Sequence, residues 1–300
     1  MQKQTNRIFE YFQFAGKRYW TASVFPALIG TSLPFWLNPP DFEFKIVQAI
    51  LFLIMALLVH IGFSLLYFDF RQKFNTKLKR KPIIISGIFC LTASVLIGLY
   101  INSILQLHPN VPEYIFIIYG IGAIFVGVLY VVPPFSFHQR LYGEVIISAG
   151  LGMMPVLGAY LVQVGDITRT VYLASLPVVV STGLWIWITE LINKEDDKKK
   201  GYKTTVMYFN YRFSSRIITF FLILLIYASL VLAVFGRSSL NPLSLIALFS
   251  LIFALMIIKI IWKDYENIRV LQNAEKYAFL IHLSICVVII LASLSSIHNI

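Results

Sequence analysis

LASLPVVVSTGLWIWI (173–188) carries no charge, and TELINKEDDKKKGYKT (189–204) follows it without a break. An uncharged run of helical length that ends in dense charge marks a chain leaving a bilayer core. Within the second stretch Glu190, Asn193 and Asp197 fall at i, i+3 and i+7, so a helix continued past the apolar run would carry all three on one face. Glu190 still belongs to the last turn of the apolar segment, where a carboxylate is costly without a partner.

The rest of the chain repeats the pattern. It is 58% hydrophobic and only 13% charged, with a mean hydropathy of +0.79. A soluble domain of this composition would lack the polar residues to cover its surface. Apolar runs near the length needed to cross a bilayer as helices recur at 20–36, 47–68, 83–104, 113–133, 142–164, 170–192, 214–236, 243–262 and 277–296. They predict an all-α polytopic membrane protein, nine transmembrane helices in one integral-membrane domain over 1–300. The first run is too long for a signal-peptide core and reads as a retained helix.

Nine crossings with a cytoplasmic N-terminus leave only Lys45, Arg169 and Arg237 outside, and every other Lys and Arg inside. That asymmetry is the positive-inside pattern. It accounts for the formal net charge of +11 without a nucleic-acid partner. It places the chain in the cell (inner) membrane as a multi-pass protein with its C-terminus outside. Cys90 and Cys286 both lie in apolar segments and imply no disulfide framework.

Two inside loops are more polar than the others: DFRQKFNTKLKRKP (69–82) after the second run, and NKEDDKKKGYKT (193–204) after the sixth. Their spacing, four helices apart, predicts a 4+4 pseudo-repeat plus one helix, faintly echoed by PALIG (26–30) and PVLG (155–158). The glycine groups 120, 122, 127 and 150, 152, 158 predict close helix packing. Carboxylates at a helix end among Lys and Arg can hold Mg²⁺ and a phosphate group together, because Mg²⁺ takes one or two carboxylates plus substrate phosphates. Lysine runs on the inner face need no ligand, so EDDKKK (195–200) taken alone reads as a solvated run. His60 lies within the second run and reads as a packing or hydrogen-bonding residue.

In these stretches the chain resembles the UbiA-type intramembrane prenyltransferases, most of all the branch that prenylates 1,4-dihydroxy-2-naphthoate. Its first motif, N-D-Y-x-D-Y-x-x-G-x-D-T, is matched by LLYFDFRQKFNT (65–76), and its second, N-N-x-x-D-x-x-x-D-x-x-x-G-K-x-T, by TELINKEDDKKKGYKT (189–204). GKRYWTASVFPALIGTS (16–32), KPIIISG (81–87) and YVVPPFSFHQRLYGEV (130–145) extend the match. The motifs depart from the family pattern where Leu65–Leu66 replace the paired N-D, Asn75 and Asn193 replace aspartates, and Thr189–Glu190 replace the leading N-N.

The resemblance implies a Mg²⁺-dependent transfer of an isoprenyl group from a polyprenyl diphosphate to an aromatic, quinone-precursor-like acceptor. It implies Asp69 and Asp197 as catalytic metal ligands, with Asn75, Glu190 and Asn193 in the same shell. Arg71, Lys73, Lys81, Arg140 and Lys203 are the implied diphosphate contacts. The lost carboxylates leave an alternative, a catalytically degenerate relative that binds an isoprenoid or a protein partner without transfer. The polytopic layout alone would also suit a carrier.

Overall fold

The computed structural model describes residues 20–40, 42–70, 80–209, 211–236 and 240–296, and omits the side chains of 68–70, 80 and 214. The described residues are helical, without strands, and the long elements follow the apolar runs. They are α1 (Thr21–Leu37), α2 (Ile46–Phe70), α3 (Arg80–Ile104) and α4 (Ile115–Val131), then α5 (Gly143–Val164), α6 (Arg169–Lys199), α7 (Tyr211–Phe235), α8 (Pro242–Asp264) and α9 (Ile268–Leu294). Seven of these, α2, α3 and α5 to α9, are long and apolar enough to cross a membrane. The apolar α1 and α4 are shorter, at 17 residues each.

Two helices differ from their expected limits. α6 runs on through Lys199, so residues 193–199 are helix rather than loop. Glu, Lys and Arg are strong helix formers, and Lys198 and Lys199 complement the negative end of the helix dipole. α9 begins at Ile268, capped by Asn267, whose side chain accepts from the Arg269 N–H at 3.1 Å. The expected start at 277 missed more than two turns.

α1 packs against α5 and α9, α6 against α7 and α9, and α2 against α3. The α1–α5 crossing depends on Gly30, where a Cβ would meet the Val156 carbonyl oxygen at 2.1 Å. α5 widens into a π turn at Ala149–Met153 just before Pro155, which cannot donate a helical hydrogen bond. Among the glycines expected to pack closely, Gly127, Gly150, Gly152 and Gly158 do so, against Phe63, Val126, Val179 and Phe52. Gly120 and Gly122 face open space instead.

The bundle has two distinct ends. At one, the Gln163 side chain accepts from the Lys45 N–H and donates to the Lys45 carbonyl, both at 3.1 Å. There the His108 N–H also donates to the Gly165 carbonyl at 3.2 Å. At the other, the Lys203 N–H donates to the Gln139 carbonyl at 2.8 Å. On that end Lys194 Nζ lies 3.3 Å above the Tyr211 ring, and Arg216 donates to the Trp262 carbonyl at 2.6 Å.

Candidate functional site: a cavity with a polar mouth

α2, α4, α5 and α6 enclose a cavity of about 670 Å³, with α1, α3 and α9 contributing at its edges. That volume lies within the roughly 300–1,000 Å³ of small-molecule sites. Its body is apolar and aromatic, with Phe52, Phe63, Phe116 and Tyr119 among its walls. The α3–α4 flank is open: Leu99, Ile117 and Ile121 line the cavity and are exposed on the bundle's outside.

The polar residues gather toward the Lys-rich end. Asn193 and Asp197 reach the cavity from α6, as the i, i+4 spacing requires, and Glu190 reaches it two turns deeper. Asp197 is 2% exposed, whereas Glu195, Asp196 and Lys198 to Lys200 around it are solvated. The charge run is therefore solvent-facing except at the one carboxylate that faces the cavity.

His138 joins the two motif regions. It sits in the turn between α4 and α5, 4% exposed, on the cavity wall. Its ring centroid lies 5.1 Å from that of Tyr67 on α2, 5.9 Å from Tyr130 on α4 and 6.1 Å from Tyr202 after α6. A carbonyl can only accept, so the 2.8 Å contact with the Tyr130 carbonyl puts the proton on Nδ1. Nε2 then accepts from the Gln139 amide at 2.9 Å. A second link closes the same end: the Thr205 hydroxyl donates to Glu144 at 2.7 Å and accepts from the Tyr142 N–H at 3.1 Å. The loop after α6 is thus docked on the α4–α5 turn, beside the last turn of α2.

Of the residues expected in the site, Asp197, Asn193 and Glu190 share the cavity. Arg140 is exposed and donates to the Pro134 carbonyl of its own turn at 2.7 Å. Lys81 and Lys203 are exposed and do not line the cavity. The Asp69 side chain, Arg71, Lys73 and Asn75 lie outside the described residues. Sequence reasoning missed His138 and also Glu275, a buried α9 carboxylate on the cavity wall that accepts from the Thr189 hydroxyl at 3.0 Å.

The donor set is one of hard oxygens, which suits Mg²⁺ held together with a substrate phosphate. Among the described residues no three His, Cys, Asp or Glu side chains come together to hold a metal by themselves. The α6 oxygens therefore fit half of a clamp, whose other ligands would come from the substrate and from the α2 motif.

These features define a helical membrane-type bundle built around an amphiphile-sized cavity. The chain belongs to the UbiA prenyltransferase family, whose model matches residues 23–283. It is 25% identical over 202 residues to the 1,4-dihydroxy-2-naphthoate octaprenyltransferase of Bacillus subtilis (strain 168), a match covering 61% of this chain. The match spans 60% of that relative's length. A digeranylgeranylglyceryl phosphate synthase structure superposes with a TM-score of 0.66 at 18% identity, covering 97% of this chain and 99% of that one. A UbiA homologue from Archaeoglobus fulgidus bound to Cd²⁺ gives 0.64 at 15% identity, with 93% and 98% covered. The same homologue bound to GPP and Mg²⁺ gives 0.59 at 14%, with 96% and 99% covered. At such identities the structural likeness speaks for the fold. The resemblance read from the motifs, including that to the naphthoate branch, is borne out.

Proposed function

We propose that the chain is an intramembrane prenyltransferase that moves an isoprenyl group from a polyprenyl diphosphate to an aromatic, quinone-precursor-like acceptor. The observation that carries this reading is the division of one cavity into a carboxylate-bearing mouth and an apolar, aromatic body. A molecule with a diphosphate head and an isoprenoid tail has the same division, and a long tail can leave between α3 and α4. Acting on a diphosphate and a naphthoate is a property of the relatives, carried here as part of the proposal.

Asp197 and Asn193, with Glu190 below them, present oxygens to the head group, and Asp69 and Asn75 complete the set from the α2 side. Mg²⁺, when bound, supplies positive charge to the departing diphosphate. Lys81, Arg140 and Lys203, with Arg71 and Lys73 of the α2 motif, are the basic residues assigned to the diphosphate, whose approach their charge would favour. In the transfer, the allylic C–O bond breaks with its electron pair going to the diphosphate. The acceptor ring forms the new C–C bond, and the proton of the attacked carbon passes to the released diphosphate. Tyr67, Tyr130 and the phenylalanines exclude water and offer aromatic faces to allylic positive charge.

The proposal includes one domain, nine crossings in a 4+4 plus one arrangement, a cytoplasmic N-terminus and a C-terminus outside. The crossing of PALIG and PVLG at Gly30 and Val156 is consistent with a pseudo-repeat. Labelling single cysteines placed at 43 and 200 from each side of a sealed vesicle tests the orientation; equal labelling from one side contradicts it. The function is tested by incubating purified protein with polyprenyl diphosphates, Mg²⁺ and a panel of aromatic acceptors. Diphosphate release matched by prenylated product is expected. Donor binding without release would favour the second reading, a degenerate relative, which the missing motif carboxylates support.

A further inference from the structure

Away from the cavity, α7 and α8 carry a separate basic and aromatic cluster at the Lys-rich end. Arg216 is its centre. It lies in a π turn, Ser214–Ile218, near the start of α7, a form found mostly as single turns and often at functional sites. The guanidinium donates to the Trp262 carbonyl of α8 at 2.6 Å. Its carbon stands 6.0 Å from the Trp262 ring centroid and 5.3 Å from that of Tyr265. These contacts hold the cation in place without neutralising it. Its Nε–H has no partner among the described residues, so the five guanidinium donors are not exhausted.

α8 adds two more cations. Lys259, Trp262 and Lys263 follow i, i+3 and i+4 spacing and share one face, on which all three are exposed. Lys259 sits about 7 Å inside the end of α8 at Asp264, and Arg216 about as far inside the start of α7 at Tyr211. Among the described residues no carboxylate, Asp264 and Glu266 included, lies within ion-pair distance of Arg216, Lys259 or Lys263. Inward from Lys259 the same face continues as Ile252, Leu255 and Met256, all exposed. Inward from Arg216, Ile217 and Phe220 are exposed likewise.

Cations on a lipid-facing surface are costly unless water or an anion meets them, and an exposed Trp beside them marks headgroup level. A soluble anion would use only the cations. An amphiphile with a phosphate head would use the apolar stripe as well.

We propose that this face of α7 and α8 seats an anionic phospholipid of the surrounding bilayer, its phosphate on Arg216, Lys259 and Lys263 and its acyl chains along the stripe. Basic pockets beside membrane helices bind such headgroups. The cavity lining includes no residue of α7 or α8, so the seat stands apart from the cavity and does not depend on the prenyl-transfer reading.

The test is native mass spectrometry of the full chain in detergent, titrated with phosphatidylglycerol or with phosphatidylcholine of the same acyl chains. The first phosphatidylglycerol should bind at least about fivefold more tightly, the effect of roughly one Lys or Arg near an anionic lipid. Lys259→Gln with Lys263→Gln should remove most of that preference and spare the Arg216 contacts to α8. Lys199→Gln with Lys200→Gln takes the same charge from the exposed end of α6 and should leave the preference unchanged. Equal binding of the two lipids overturns the proposal, and so do equal losses in the two double variants, which would mean diffuse attraction. Excess glycerol phosphate, a headgroup without chains, should not displace the lipid; displacement would make this a plain anion site and overturn the lipid seat. If the Lys259 and Lys263 double variant does not fold, the wild-type preference and Lys263→Gln alone decide.

Discussion

The two flanks of α6 show how one helix can serve two purposes. On one flank Trp185 lies 5.0 Å from Phe279 between ring centroids, and Trp187 donates to the Thr219 hydroxyl at 3.0 Å. Both tryptophans are 2% exposed and belong to the main core with α7 and α9. Even the buried His282 is partnered there, with Ser181 at 3.1 Å and Thr182 at 3.3 Å. On the other flank Ile186, Glu190, Asn193 and Asp197 face a cavity. The same division runs through the molecule: 67% of the apolar window of α6 is buried, against 17% of α3. One half is solid and holds α6 still; the other is hollow and leaves room for a ligand.

The two halves should respond differently to truncation. Trp187→Ala removes packing and a hydrogen bond from the solid half, and should cost roughly 3–5 kcal/mol of stability. Ile121→Ala, on the exposed edge of the hollow half, should cost under about 1 kcal/mol. Chemical unfolding in mixed micelles compares the two, and equal losses would erase the distinction between core and cavity wall.

A smaller effect sharpens the comparison on the hollow side. Asn193→Asp adds a carboxylate one turn from Asp197 on the cavity face. Mg²⁺-dependent donor binding should tighten by about 1–3 kcal/mol, the difference between a charged and a neutral contact. Titration of donor at several Mg²⁺ concentrations reads this out, and unchanged affinity would mean the α6 face does not meet the head group.

How much of this was legible in the sequence differs between the two halves. Apolar runs located the helices because bilayer-length hydrophobicity is a one-dimensional signal. They could not separate core from cavity wall, since Phe52 lining the cavity and Trp187 filling the core are equally apolar. Asp197 was legible from motif spacing, and its burial amid a solvated charge run is what the structure adds. Glu275 was not, because the expected α9 began after it and left it in a polar loop. A carboxylate buried in a membrane helix is itself a functional signal, and the correct helix start would have exposed it. His138 carried no spacing signal either. Its role as a bridge between α2, α4 and the loop after α6 depends on three tyrosines far apart in the chain.

In the proposed reaction the buried Asp197 carboxylate holds the head of a prenyl diphosphate at the cavity mouth. The most direct test is Mg²⁺-dependent binding of a labelled polyprenyl diphosphate to wild type and to Asp197→Asn in nanodiscs. Wild type should show saturable, Mg²⁺-dependent binding, with a loss of about tenfold to a hundredfold in the variant, as removal of a charged contact implies. Equal binding to both proteins, or binding indifferent to Mg²⁺, would contradict it.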